Sequence, residues 1–514
     1  MTNKYIGLTI GPIYKTLTSV KATREIWGAS YIFSYIMKKI IKKLKKSGKE
    51  FIIPYTDDSN DSKMFEHGQE VGLFHDRFIF KAESDDSEGD LEEVEKIKNK
   101  VLEEIAEEMT NVVREKEQNK IYEFLKKYFQ IYFCEKEIKG DYKEVNKEIN
   151  NHLDVLELQS KFIPQISMNY LFDFFDKINS SFLIKDAFGK TKSHSFPSIP
   201  EIAALKGRDD LLWKDANGDE IKLPRKVKKK NGKEIETYDT DDTTIYGDLK
   251  AANKDKFKQY HKYIAIVQAD GDNLGKTIKA LEKNQDFTDL SKALFDFSKN
   301  AHKKIKEFGG VTIYAGGDDL LFFAPIVSDN KSVFELVYDL GKLFKDKFKE
   351  FDKKPTLSAG ISITYYKYPM GEALENATNL LFKAKNFKDK NAVAFEVQKH
   401  SGQSFSGVFN KDTNEYLKFK QLIQCNTEDK MLTSLIHKLN FHNAIIKEIG
   451  TDATKLNNYF ANFFNEQEHK EFKDLIDLTA QLINRIYCTC RNEQEKTELI
   501  YASLRLKKFI GGER

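Results

Sequence analysis

Hydrophobic and polar positions repeat most regularly between Lys262 and Val397. Apolar runs of strand length, beginning with YIAIVQAD, are separated there by segments with the 3.6-residue repeat of amphipathic helices. Helices are predicted over Asp286–Phe308, Ser332–Phe351 and Met370–Ala384, and the last strand is AVAFEV. The order βαββαβ predicts a ferredoxin-like sheet with helices on one face, a plan that polymerase palms and nucleotide cyclases share.

The N-terminal half begins with a similar pattern. KYIGLTIGPI, Lys4–Ile13, has the apolar character of a strand and precedes a long amphipathic stretch over about Lys21–Lys46. Phe51–Tyr55 and Gly72–Phe80 are predicted strands, the second interrupted by a polar turn. An acidic patch and a charged region that is predicted to be helical to about Lys139 follow, and we interpret them as an insertion with a solvated face.

Three further segments complete the predicted organisation. TKSHSFPSIPEIAA mixes Pro and Ser ahead of a helical pattern and marks a domain junction. LPRKVKKKNGKEIE, Leu223–Glu236, predicts a basic hairpin around an Asn-Gly turn, either a solvated loop or an RNA contact. Strand signals vanish after Gly407, and Glu415–Phe509 predicts a C-terminal helical bundle.

Composition places the chain among multidomain globular proteins. Its 514 residues exceed one ordinary core, and 40% hydrophobic with 32% charged residues fit a hydrated surface around several cores. The formal charge of +3 gives no global case for nucleic-acid binding. Cys134, Cys425, Cys488 and Cys490 lack the spacing of a disulfide framework or a zinc site. No membrane span or signal peptide is evident, so we expect a cytoplasmic protein.

Candidate chemistry lies at one edge of the regular region. The strand YIAIVQAD delivers Asp270 at its end, and the turn GGDD delivers Asp318 and Asp319 beside it. Magnesium binds one or two carboxylates and leaves its other positions to water and phosphates, and two such ions support in-line phosphoryl displacement. Gly316 and Gly317 suit a tight turn with exposed backbone. An ordinary hairpin is the alternative, but the flanking strands and Asp270 favour nucleotidyl transfer.

Two weaker features support the same site. ADGDNLGK contributes Gly271, Asp272 and Asn273 to a turn that enters a helix, where backbone amides suit phosphates, although a calcium-like loop or a plain cap fits equally well. Lys385 precedes the last strand and is placed to reach a triphosphate.

These strings resemble a known family. ADGDNLGK, YAGGDDLLFF and NLLFKAKNFKDKNAVAF are similar to the GGDEF and palm-type cyclase domain. IGPIYKTLTSVKATREIWGASYIFSYIMKKI, GLFHDRFIF, FPSIPEIAAL and YASLRLKKFIGGE extend the likeness nearly end to end. The whole chain resembles the large subunit of Cmr-type, type III-B CRISPR effector complexes.

The resemblance implies an α+β multidomain protein with two ferredoxin-like palm or cyclase domains, helical insertions and a C-terminal helical bundle. The first palm would be degenerate, because its first strand ends in Thr9-Ile10-Gly11 where Asp270 stands in the second. The expected boundaries are 1–85 for the N-terminal part of the first palm, 86–190 for a helical insertion, 191–255 for the junction with its basic hairpin, 256–405 for the catalytic palm, and 406–514 for the bundle.

The resemblance also implies a function. The chain would join other Cmr-type subunits, guide CRISPR RNA and target RNA, and convert ATP to a cyclic oligoadenylate. Asp270, Asp318 and Asp319 would be catalytic and hold Mg²⁺ or Mn²⁺. Gly271, Asp272, Asn273, Gly316, Gly317 and Lys385 would contact nucleotide.

Departures from the family pattern leave alternatives open. The chain starts directly at the first palm, and His75-Asp76 has no other evident histidine ligands, so we interpret that pair as structural and expect no HD nuclease. The family's zinc-binding cysteines are missing. Some relatives are thought to join ATP to S-adenosylmethionine. A scaffold with an inactive cyclase and a stand-alone diguanylate cyclase are the further alternatives.

Overall fold

The computed structural model describes most of the chain. The described residues are 3–56, 65–82, 87–159, 169–189, 194, 196–204, 212–214, 220–222, 226–230, 233–237, 246, 258–425, 429–463, 472–489 and 491–511.

Strands and helices alternate through the first two thirds of the chain, and helices dominate the last hundred residues. The strands are β1 (Asn3–Gly11), β2 (Glu50–Ile53), β3 (Arg77–Lys81), β4 (Gln130–Ile138), β5 (Leu212–Lys214), β6 (Glu220–Lys222), β7 (Lys226–Lys230), β8 (Lys233–Thr237), β9 (Tyr263–Asp272), β10 (Val311–Gly316), β11 (Asp319–Ala324), β12 (Val327–Ser328), β13 (Lys331–Ser332), β14 (Thr356–Tyr365), β15 (Ala392–Gln398) and β16 (Ser404–Asn410). The helices are α1 (Ile13–Thr18), α2 (Thr23–Lys46), α3 (Ser87–Thr110), α4 (Gln118–Tyr128), α5 (Tyr142–Glu157), α6 (Tyr170–Asp176), α7 (Phe182–Phe188), α8 (Ile199–Ala204), α9 (Leu274–Ala280), α10 (Asn284–Glu307), α11 (Val333–Lys347), α12 (Met370–Lys385), α13 (Asn414–Gln424), α14 (Asp429–Phe441), α15 (Asn443–Ile449), α16 (Ala453–Phe463), α17 (Lys473–Tyr487) and α18 (Glu493–Gly511).

Two sheets share one strand order. The first sheet is ordered β2-β3-β1-β4, and the second begins β10-β11-β9-β14 and continues with β15 and β16. In each four-strand unit every pairing is antiparallel, while β14 and β15 are parallel. The order of strands and crossover helices is βαββαβ in both units. The prediction of two ferredoxin-like palm domains is therefore confirmed.

The strand β4 corrects the prediction that the region after the acidic patch is a helical insertion. Its nine residues pair with β1 along the edge of the first sheet. The charged run in QIYFCEKEI hid this strand, because an edge strand tolerates charges that pair with neighbours. Lys136, for example, contacts Glu148 of α5 at 2.6 Å.

The strand β16 corrects the expected start of the helical bundle. Gly407 lies inside this strand, which pairs with β15 and closes the second sheet. A side chain at Gly407 would meet Phe395 and Leu499. The glycine that suggested the end of strand structure thus marks a close packing contact between sheet and bundle.

The predicted basic hairpin is confirmed as β7 and β8, which pair from Lys226–Thr237 to Lys230–Lys233.

Helix α2 is buried on nearly all sides between the two sheets. Its apolar side chains share one core with Leu8 and Phe80 of the first sheet and with Ile264 and Phe323 of the second. A surface helix exposes a polar face, whereas a helix with apolar residues all round needs neighbours on every side. The two palm domains are therefore joined by a common hydrophobic core.

This buried helix carries one charged side chain inward. The Lys38 ammonium donates to both oxygens of Asp186, at 3.0 and 3.1 Å, and the Tyr31 hydroxyl donates to Asp186 at 2.7 Å. Burial lowers the pKa of Lys38, and burial followed by the Asp186 charge raises the pKa of Tyr31 well above its usual value. The network therefore keeps a buried positive charge compensated.

The C-terminal helices α13–α18 pack against the end of the second sheet. Arg491 donates to both oxygens of Glu415, at 2.8 and 3.0 Å, and to the Val408 carbonyl of β16 at 2.9 Å. No helix in the described part of the chain is both long and apolar enough to cross a bilayer.

We expect Asp186→Ala to reduce the free energy of unfolding by about 3–5 kcal/mol, because it leaves the buried Lys38 charge uncompensated. Urea denaturation of the full chain, followed by circular dichroism, measures the loss. Asp176→Ala is the matched control, since Arg24 reaches that exposed carboxylate at 2.7 Å on the surface, and we expect a loss below about 1 kcal/mol. Equal losses in the two variants would contradict the role of Asp186.

Candidate active site

The candidate site is formed where β9 ends beside the turn between β10 and β11. Leu320 of β11 pairs with Ala269 of β9, so the next pair along brings Asp319 opposite Asp270. Gly316 pairs with Asp319 across the tight turn. Hydrogen-bonded register therefore brings the three predicted acids to one edge of the second sheet.

Asp270 and Asp318 lie within hydrogen-bonding reach of each other. Burial, followed by the charge of Asp270, raises the pKa of Asp318 to about 7. Two carboxylates this close share one proton or require a cation between them. The pair is therefore stabilised by any positive charge that lies close to it.

Asp319 stands beside this pair and remains exposed to solvent. The surrounding protein, followed by the charges of Asp318 and Asp270, raises its pKa well above the usual value. Because Asp319 keeps its access to water, repulsion between the carboxylates contributes more to this rise than loss of hydration does. No group of three or more carboxylates, histidines or cysteines arranged to hold a metal ion occurs in the described ranges, and the assignment of Asp270, Asp318 and Asp319 as metal ligands stays a prediction.

Lys385, the last residue of α12, supplies the local positive charge. Its ammonium contacts the Asp270 carboxylate and donates to the Gly271 carbonyl at 3.2 Å. The predicted approach of Lys385 to the site is therefore seen, although its partner here is an acid.

The glycines of the site permit close packing. A methyl group on Gly271 would lie 2.6 Å from Oδ2 of Asp318, and one on Gly316 would lie 2.1 Å from the Tyr314 hydroxyl. Gly317 has φ of +66°, and a methyl group there would lie 2.1 Å from Cε1 of His75. Room for protein side chains therefore explains these glycines as directly as room for a triphosphate does.

Asp272 is placed differently from the prediction. It is fully buried, and its Oδ2 accepts hydrogen bonds from Thr356, Ser358 and the Asn391 amide at 2.7–3.0 Å. Lys411 is also fully enclosed, and burial lowers its pKa to about 7, partly offset by the Asp272 charge. Asp272 thus ties β9 to β14 and β15 instead of facing nucleotide. Asn273, in the left-handed conformation with φ of +61°, stays a predicted contact only.

The first domain contributes residues that the sequence did not assign to the site. His75 packs against Gly317, and Asp76 raises the pKa of Tyr314 together with the more important effect of burial. The signal was present: His75-Asp76 precedes the strand RFIF as Asp318-Asp319 precedes LLFF.

Known proteins match both domains. The family model "Cas10/Cmr2, second palm domain" matches residues 263–394, and the model "CRISPR-associated protein Cmr2, N-terminal" matches residues 5–114. The CRISPR system Cmr subunit Cmr2 of Pyrococcus furiosus is 32% identical over an alignment of 206 residues that covers 35% of this chain and 23% of that protein. The match thus spans about a quarter of that relative.

Solved structures extend the likeness in fold. The type III-B Cmr-beta complex in its apo state contains a chain with a TM-score of 0.58 and 11% identity, matched over 100% of this chain and 82% of that one. A chain of Cmr-beta bound to cognate target RNA has a TM-score of 0.51 and 11% identity, matched over 85% of this chain and 78% of that one. A chain of a Csm1-Csm4 cassette in complex with AMPPNP has a TM-score of 0.50 and 12% identity, matched over 94% of this chain and 69% of that one.

At such identities the structures establish the fold alone. In sequence, residues 5–114 of this chain are similar to the N-terminal part of Cmr2, and residues 263–394 are similar to the second palm domain of Cas10/Cmr2. These two stretches carry the likeness of this chain to a large subunit of the Cmr type.

Proposed function

We propose that this chain is the nucleotidyl cyclase subunit of a type III-B CRISPR effector, activated by target RNA and converting ATP to a cyclic oligoadenylate. The observation that carries the proposal is the pair Asp270–Asp318 beside Lys385. Paired carboxylates with a neighbouring ammonium fit a triphosphate and its metal ion.

The two carboxylates fit Mg²⁺ or Mn²⁺. Their mutual repulsion raises the pKa of Asp318, after the effect of burial, and a divalent cation would relieve it. Asp270 and Asp318 would be the protein ligands, and phosphate oxygens and water would complete the coordination. We propose Asp319 as a third ligand of the same ion. Bound there, the metal would activate a hydroxyl nucleophile and neutralise charge that develops on the leaving oxygens.

The reaction would be an in-line displacement. The 3′-hydroxyl of one nucleotide gives its proton to water, its oxygen forms a bond to the α-phosphorus of ATP, the bond from that phosphorus to the bridging β-phosphate oxygen breaks, and pyrophosphate leaves. Asp270 and Asp318 would carry their full negative charge once the triphosphate brings a cation to the pair. Lys385, the one cation seen on the pair in the described structure, would exchange Asp270 for phosphate oxygens.

The similar structures support the partners and the substrate. The solved Cmr-beta complex with a related fold binds cognate target RNA, and the Csm1-Csm4 cassette binds AMPPNP, an ATP analogue. By analogy of fold, we propose guide RNA, target RNA and other Cmr-type subunits as partners and ATP as substrate. The first palm sheet argues against a stand-alone diguanylate cyclase.

The product identifies the reaction. The complex should be assembled with guide RNA and given matching target RNA, Mg²⁺ and labelled ATP, with and without S-adenosylmethionine, and in a parallel arm GTP. We expect mass spectrometry to detect cyclic oligoadenylate. An adenylated metabolite would indicate conjugation to S-adenosylmethionine, a guanine product would indicate a diguanylate cyclase, and no product would indicate a scaffold.

For the site, we expect the double variant Asp318→Ala and Asp319→Ala to lower ATP conversion at least about a hundredfold, because metal and charge stabilisation are lost together. The assembled complex is compared with one that carries Asp346→Ala and Asp352→Ala, two exposed acids of the same domain, for which we expect the wild-type rate. Unchanged product formation in the first double variant would refute the assignment.

Metal affinity should depend on pH. A proton competes with the metal for Asp318, so we expect the apparent affinity for Mn²⁺ to rise up to about tenfold per pH unit below the pKa of about 7 and to level off above it. Calorimetric titration of the full chain with Mn²⁺ alone, from about pH 5.5 to about pH 8.5, measures this dependence. Asp318→Asn should bind more weakly with a flatter profile. Affinity that is independent of pH in the wild type would contradict competition at Asp318.

A further inference from the structure

His75 brings the first domain into direct contact with the acid-bearing turn. A methyl group on Gly317 would lie 2.1 Å from Cε1 of His75 and 3.0 Å from each of its ring nitrogens. Heavy atoms do not approach this closely, so the imidazole occupies the space that any side chain at position 317 would need. The contact crosses from the segment before β3 to the turn between β10 and β11.

A side chain of α10 also holds the turn. The Ser298 hydroxyl, fully buried on α10, donates a hydrogen bond to the Gly317 carbonyl at 3.0 Å. The Tyr314 hydroxyl packs over Gly316. Side chains thus fix the backbone of the turn at both glycines, and one of the contacts, through His75, comes from the other domain.

The two segments in contact occupy the same place in their units, since β3 and β11 are each the third strand of a βαββαβ order. Thr9 pairs with Arg77 in the first sheet, and Asp270 faces Asp319 where the register of the second sheet continues. With Thr9 matched to Asp270, as the ends of the two first strands suggest, Asp76 corresponds to Asp318. The entry to β3 in the first domain and the acid-bearing turn in the second are the same part of the fold, packed against each other.

The first domain carries Thr9 and Arg77 at the positions that correspond to Asp270 and Asp319, and keeps an acid only at Asp76. Thr9 and Arg77 both donate to Oε1 of Glu157, at 2.5 and 2.7 Å, and Arg77 also contacts Asp154 at 2.7 Å. An arginine held by two acids has its charge satisfied within the domain. This edge of the first domain therefore presents the packed ring of His75 to Gly317, with the Asp76 carboxylate near Tyr314.

We propose that His75 is a positioning residue that holds the turn Gly316–Asp319 in place and makes the spacing of Asp270 and Asp318 depend on the orientation of the first domain. The consequence for catalysis rests on the proposed function, while the positioning itself does not. Burial lowers the pKa of His75 to about 4, so the ring is neutral and acts by packing. A phenyl ring can replace it in that role.

Hydrogen exchange of the full chain tests the positioning directly. We expect His75→Ala to speed exchange of amides in the segment 314–320 at least about tenfold, because one of the contacts that hold the turn is removed. His75→Phe should exchange as the wild type does. His302→Ala is the matched control, since His302 contacts Thr312 at 2.9 Å and Glu70 of the first domain at 3.7 Å without touching the turn.

Exchange in His75→Ala that equals the wild type, or an equal rise in His302→Ala, would overturn the proposal. A rise in His75→Phe would show that ring packing is not what holds the turn, and would overturn it as well.

Kinetics of the assembled complex test the consequence for catalysis. We expect His75→Ala to lower kcat for ATP conversion about tenfold or more with KM within about threefold, because misplaced acids affect the reaction more than binding. His75→Phe should keep at least about half of kcat. Wild-type kcat in His75→Ala would overturn the coupling to catalysis. A wild-type complex without product would refute the proposed function, and the exchange measurement would still decide the positioning.

Discussion

Burial of α2 between the two sheets is the constraint on which the rest of the structure depends. Its apolar residues face both domains, so neither sheet completes its core alone. The Lys38–Asp186 pair satisfies the one charge on this helix that is taken out of water. Because α2 fixes the first sheet against the second, the entry to β3 meets the turn before β11. The site is therefore a property of two domains and not of one hairpin.

Electrostatics within the site act against its own stability. Burial and then the charge of Asp270 raise the pKa of Asp318, and the surrounding protein together with the charges of Asp318 and Asp270 raises the pKa of the exposed Asp319. Such strain among like charges is typical of sites that await a cation. Lys385 offsets part of it through Asp270, and the hydrogen bonds to Asp272 anchor the end of β9, so the carboxylates are held near one another in spite of their repulsion.

Much of this arrangement could be predicted from the sequence. Period-two and 3.6-residue patterns predicted the second sheet, and GGDD at the end of an apolar strand indicated where the acids meet. β4 was missed because its charges resemble a helix surface, and β16 because Gly407 resembled a break. The orientation of Asp272 and the contact of His75 with Gly317 depend on tertiary packing, which no local pattern encodes.

The central claim is that Asp270 and Asp318 bind a divalent cation together with a triphosphate. Anomalous diffraction from the full chain crystallised with Mn²⁺ and a non-hydrolysable ATP analogue tests it most directly. We expect a peak that contacts both carboxylates, with the Lys385 ammonium moved from Asp270 to the phosphates. A peak elsewhere, or none, with the Asp270–Lys385 contact intact, would contradict the account.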